Sequence, residues 1–159
     1  MDGTIDTLGS AADFDFFIGE WNIRNLRLKE RFAGSDDWEI FPATSSVRKI
    51  LEGTGNFEEM HMPSQGFTGM TLRLFNPRDG SWSLNWADSR SNVLFPPVIG
   101  HFENGKGVFY GDDVDDGVPV RVRFLWTPSL EAPLWAQAFS KDGGETWETN
   151  WVMEFTRRG

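Results

Sequence analysis

Pro119-Val120-Arg121-Val122-Arg123-Phe124-Leu125-Trp126 alternates without interruption. Val120, Val122, Phe124 and Trp126 fall on one face, and Arg121, Arg123 and Leu125 on the other. A period of two marks a strand, whose successive side chains point to opposite faces. The same reading extends in both directions. Residues 134–140 and 145–157 form a final hairpin. Upstream, Asn104-Gly105 is a short hairpin signal between extended residues 98–103 and 107–110. Residues 82–86 place Trp82, Leu84 and Trp86 on one face. Asn76-Pro77-Arg78-Asp79-Gly80 is a turn. Residues 66–75 form a strand with two unlike faces: Met70, Leu72 and Leu74 against Thr71, Arg73 and Phe75. Residues 56–62 are extended. Residues 38–51 and 21–32 read as two long strands, the first bent at Pro42. Residues 13–19 read as one helical turn, capped by Asp13 and ended by Gly19.

Hairpins in succession without long helices predict an all-β, antiparallel up-and-down barrel of about 8–10 strands. Closure removes the edges that a flat sheet of that size would expose. A chain of 159 residues favours one domain. Residues 1–12 are small and polar and are expected to be a flexible lead-in, with the barrel over residues 13–159. The 14 Phe and 8 Trp against 1 Tyr supply large apolar rings for a barrel interior.

With no cysteine, disulfides, thiolate metal sites and cysteine nucleophiles are excluded. The same absence fits a reducing cytoplasm. The acidic start shows no secretory pattern, and no run is apolar enough to span a bilayer. A net charge of −9 repels phosphate backbones and anionic lipid, so neither nucleic acid nor membrane is the expected partner. A small molecule is, and the sequence leaves room for a homodimer.

Three stretches carry a resemblance. Phe14-Asp15-Phe16-Phe17-Ile18-Gly19-Glu20-Trp21 resembles the opening of lipocalin-like barrels, where a short helix leads into Gly-x-Trp. Residues 94–100 (Leu-Phe-Pro-Pro-Val-Ile-Gly) and 139–151 (Phe-Ser-Lys-Asp-Gly-Gly-Glu-Thr-Trp-Glu-Thr-Asn-Trp) are similar to a bacterial domain family of unknown function in the calycin superfamily of ligand-binding barrels. That resemblance implies a fold and no activity. It also implies that Trp21 packs at the closed end beneath Arg157 or Arg158, through a cation–π contact. Residues 140–147 match the Asp-box pattern of sialidase propellers as well. A single copy excludes a propeller, and the segment reads as a structural turn.

Motifs with stronger chemistry are absent. Asp112-Asp113-Val114-Asp115-Asp116-Gly117 fails the EF-hand template, with Val114 at the third position and Arg123 at the twelfth. It reads as an acidic hairpin, and no metal site or cofactor is expected. No nucleophile elbow, P-loop or dinucleotide fingerprint occurs. His61 and His101 are the two side chains that titrate near neutrality when unperturbed. His61 reads as an ordinary histidine, and His101 is a weak acid–base candidate.

Polar residues between apolar neighbours are more telling: Arg73, Asn85, Arg123, Gln137 and Asn150. Inside a barrel such groups need partners or a ligand. The expected function is therefore binding of a small apolar or amphipathic molecule, anionic ends included. The expected site comprises Arg73, Trp82, Trp86, Arg123, Trp135 and Gln137, with Phe124 and Trp126 in the same wall. The alternative is a cofactor-independent isomerase, dehydratase or cyclase, with His101 as acid or base and an Arg stabilising enolate-like charge.

Overall fold

The computed structural model describes residues 9–158. Its ten strands are β1 (Gly19–Leu28), β2 (Trp38–Ile50), β3 (Gly55–Met62), β4 (Phe67–Asn76), β5 (Ser81–Asp88), β6 (Val98–Glu103), β7 (Lys106–Asp115), β8 (Val118–Thr127), β9 (Leu134–Ser140) and β10 (Glu148–Arg157). Each pairs antiparallel with its neighbour in sequence. β1 also pairs with β10, from Trp21↔Arg157 to Arg27↔Trp151, and this closes the barrel. The chain is thus a closed up-and-down meander, the architecture that the alternating strands predict. Among the described residues, no helix is long and apolar enough to cross a membrane.

Local chemistry sets the turns. Asn104 and Gly105 have φ of +52° and +76°, and Asp116 and Gly117 have +50° and +79°. Positive φ at both central residues matches the twist of flanking strands, and Asn-Gly and Asp-Gly tolerate it best. The acidic run is therefore a hairpin, with Arg121 bonding Asp112 and Arg31 bonding Asp115. β7 also extends to Asp115, beyond the expected end at residue 110. β1 is shorter than expected, because residues 29–37 fold back as a loop fastened by Lys29 N–H to the Asp37 carbonyl at 3.0 Å.

The N-terminal element also differs. It is a single 3-10 turn, Asp15–Phe17, with no side-chain cap. Asp13 instead accepts hydrogen bonds from the Ser10 backbone and the Trp82 indole, at 3.0 and 3.1 Å. The lead-in expected over residues 1–12 lies, for residues 1–8, outside the described residues. Residues 10–12 are held in a turn by Ser10 Oγ, which accepts from Ala12 N–H at 3.0 Å.

The turn still drives its rings into the barrel end. Phe14 meets Trp82 and Phe102 edge-on, each at 4.9 Å. Phe17 stacks on Trp21 at 5.5 Å and meets Phe155 edge-on at 5.0 Å. Trp21 is fully buried, and its indole donates to the Phe17 carbonyl at 2.8 Å. The Arg157 guanidinium lies 4.0 Å from the Trp21 ring centre and donates to the carbonyls of Ile18, Phe16 and Leu130. Of the two arginines considered, Arg157 is the one that covers Trp21. Gly19 fits here for two reasons: its φ is +133°, and a side chain would collide with the Arg157 guanidinium.

Candidate functional site

Above this plug the rings part and leave a cavity of about 220 Å³. Its apolar wall is Met60, Leu84, Trp86, Val122, Phe124, Trp135, Trp151 and Met153. Phe124 meets Trp135 edge-on at 5.0 Å, and Trp135 meets Trp151 at 6.0 Å. Gly69 makes room for one wall ring, since a Cβ there would collide with Trp86. The volume lies between the ~150 Å³ that accommodates benzene and the ~300 Å³ at which drug-sized sites begin.

The floor is polar. Arg73 projects inward from β4 and donates to Glu58 Oε1 on β3 at 2.5 Å and to Asn56 Oδ1 at 2.9 Å. Both members of the ion pair are buried, at 3% and 2% side-chain exposure. The guanidinium lies 5.1–5.5 Å from the ring centres of Phe14, Phe17 and Trp126, so the plug is the surface on which it rests. The pairing is incomplete. Glu58 Oε2, Arg73 Nε and Trp126 Nε1 have no hydrogen-bond partner. A buried group left in that state costs about 1–3 kcal/mol, which a ligand with matching polar atoms would relieve.

At the other end, β5 and β6 are joined by only three residue pairs, the last being Leu84↔Val98. Beyond it the wall is completed by the loop of residues 89–97. Phe95 N–H bonds the Trp86 carbonyl at 2.7 Å, and Phe95 and Pro96 line the cavity. Asp88 fastens the base of this loop. Its carboxylate takes Arg90 at 2.8 Å and the Trp86 indole at 3.0 Å. Arg90 first, then the Trp86 indole and the Arg90 backbone N–H, lower the Asp88 pKa to about 2 against the opposing effect of burial.

The expected site residues divide. Arg73, Trp86, Trp135 and Gln137 line the cavity, as do Phe124 and Trp126. Gln137 donates to Asn150 Oδ1 at 2.8 Å. Trp82 shares a face with Trp86 but does not reach the cavity. It sits four residues closer to the plug, about 13 Å along the strand, and is 1% exposed among Phe14 and Phe75. Arg123 points out of the barrel. Its neighbours Val122 and Phe124 line the cavity, so strand alternation sends it to the outer face, over the Trp147 ring at 4.7 Å. Asn85 is also outside the lining and donates to the Phe95 carbonyl.

His101 is corrected in the same way. It is exposed on β6, next to buried Gly100, so it cannot act on a molecule in the cavity. His61 is exposed on β3, within 3.3 Å of Thr68 Oγ1. Among the described residues, no three His, Asp or Glu side chains gather to hold a metal ion.

No family model matches the chain, and no curated protein matches it.

Glu58 and Trp151 line the cavity without standing among the expected site residues. Glu58 shares its strand face with Met60 and Met62, and that parity with apolar neighbours was the available signal. Trp151 stands two and four residues before Met153 and Phe155, which also line the cavity, so that parity was the available signal; the bulge between Thr149 and Trp151 breaks the alternation only on the side towards residue 148. The Asp-box segment is a turn. Asp142 accepts from Glu145 N–H, Thr146 N–H, Thr146 Oγ1 and Ser140 Oγ. These bonds, led by those from Thr146, hold its carboxyl well below the usual range.

Proposed function

We propose that the barrel binds one small, largely apolar molecule, with a polar end seated at the Glu58–Arg73 floor. The observation that carries this reading is the 220 Å³ cavity walled by Trp86, Phe124, Trp135 and Trp151. Filling such a space with side chains would stabilise the fold, yet the plug rings stop short of it. The resemblance of Gly19-Glu20-Trp21 and its surroundings to lipocalin-like ligand-binding barrels supports the same conclusion. The size favours a single substituted ring or a short chain, well below the bulk of a haem.

The enzymatic alternative has lost His101. Glu58 is the buried carboxylate that an isomerase, dehydratase or cyclase would find on the cavity floor, and Arg73 already bonds one of its oxygens. Binding is the better-supported function.

Native mass spectrometry of protein purified from its own host tests the proposal. A retained small molecule that is displaced by toluene or a substituted benzene is the expected result. A chain mass without adduct, together with no change in tryptophan fluorescence on titrating such probes, would refute it.

A further inference from the structure

We infer that the polar end of the ligand is a neutral hydroxyl or N–H donor and not the carboxylate that a buried arginine first brings to mind. This rests on the binding function proposed above. The sequence exposes an arginine on an aromatic strand, which by itself favours an anion. The structure supplies the missing partner. Glu58 already neutralises Arg73, and Asn56 takes a further guanidinium N–H. Of the unsatisfied atoms on the floor, Glu58 Oε2 can only accept, whereas Arg73 Nε and Trp126 Nε1 can only donate. An O–H group satisfies both kinds of atom, because it donates one hydrogen bond and accepts others. A carboxylate has no proton to give and would meet the Glu58 charge.

Two further observations agree. The carboxylates in the lining, Glu58 and Asp113, balance the guanidinium groups of Arg73 and Arg90, while Asp112 faces outward to Arg121. The chain as a whole bears −9. The cavity thus offers an anion no net positive charge, and the chain repels it at long range. A cation gains from Glu58 but is opposed by Arg73 at the same place. A phenol or small alcohol has the right donor, the right charge and a ring or chain of suitable size.

Three probes of nearly equal shape separate the alternatives: p-cresol, toluene and p-toluate, titrated calorimetrically into the full chain. p-Cresol should bind about ten- to a hundredfold tighter than toluene, the effect of one hydrogen bond to a charged group, and p-toluate more weakly than toluene. Equal affinity for p-cresol and toluene would overturn the inference, as would p-toluate binding as tightly as p-cresol. In either case the binding cavity itself would stand. Binding of none of the three would remove the cavity reading and this inference with it. Glu58→Gln should reverse the order of p-cresol and p-toluate, because Arg73 is then no longer neutralised. If that variant does not fold, the double variant Glu58→Met/Arg73→Met removes both charges together. Its preference for p-cresol over toluene should fall to the severalfold that the Trp126 indole alone sustains. An undiminished preference for p-cresol in either folded variant refutes the assignment.

Discussion

At the closed end of the barrel, Phe14, Phe17, Trp21, Trp126 and Phe155 pack ring on ring, each at most 2% exposed. Towards the opposite end, Trp86, Phe124 and Trp151 remain half-buried around a cavity. The strands and residue types are the same in both regions. What differs is the material supplied from outside the sheet. The turn Asp15–Phe17 fills one end, while only the loop of residues 89–97 closes over the other. Aromatic content therefore does not distinguish a core from a binding wall; the presence of a second layer of rings does.

The largest test of this contrast is a pair of tryptophan truncations. Trp21→Ala should destabilise the fold by about 3–5 kcal/mol, the usual loss for a buried large ring. Trp86→Ala should cost about 1–2 kcal/mol, because its ring already borders empty space. Urea denaturation of both variants gives the comparison, and equal losses would show that the two ends are packed alike.

Gly69→Ala sharpens the picture from the other side. The added methyl must push the Trp86 ring, and overpacking of this kind typically costs about 1–3 kcal/mol. The displaced ring should also reduce toluene affinity. Undiminished binding would mean that Trp86 does not shape the cavity.

The loop end has its own signature in pH. Asp88 titrates at about 2 in the folded chain, against 3.8 as the ordinary value. A depressed carboxyl contributes stability above its unfolded pKa and loses it as pH falls through the folded one. The contribution should thus be complete above about pH 5 and vanish towards about pH 2. Asp88→Asn should lower stability at pH 6 by on the order of 1–2 kcal/mol, allowing for the exposure of Arg90. The gap between variant and parent should close on acidification. A gap constant between pH 6 and pH 2.5 would exclude the Asp88–Arg90 fastening as its cause.

The smallest effect belongs to Arg123. On the outer face, over Trp147, Arg123→Met should change stability by no more than about 0.5 kcal/mol and leave p-cresol binding unaltered. Calorimetry of that variant beside Arg73→Met separates the outward arginine from the inward one. A marked loss of affinity in Arg123→Met would contradict its placement.

Much of this architecture was written locally. Alternation in residues 119–126, Asn104-Gly105, the turn at Asn76–Gly80 and the Gly19-Glu20-Trp21 opening each act over a few residues. Together they imply strands, hairpins and a plugged barrel, because strand period, turn dihedrals and glycine placement are short-range properties. The site was less legible. β4 offered Met70, Leu72 and Leu74 on one face and Thr71, Arg73 and Phe75 on the other, and hydropathy alone favours the first as interior. The barrel turns Arg73 inward because β3 meets it there, with Asn56 opposite and Glu58 within reach. Strand parity likewise could not say that Trp82 and Trp86, on one face, would lie at different heights, one in the plug and one in the wall. The sequence by itself determined that the chain forms a barrel rich in large rings. Only the tertiary structure decided which rings are packed and which surround a space, and that Arg73 is neutralised by Glu58. Those outcomes depend on register and on contacts between strands distant in the chain, which no local pattern encodes.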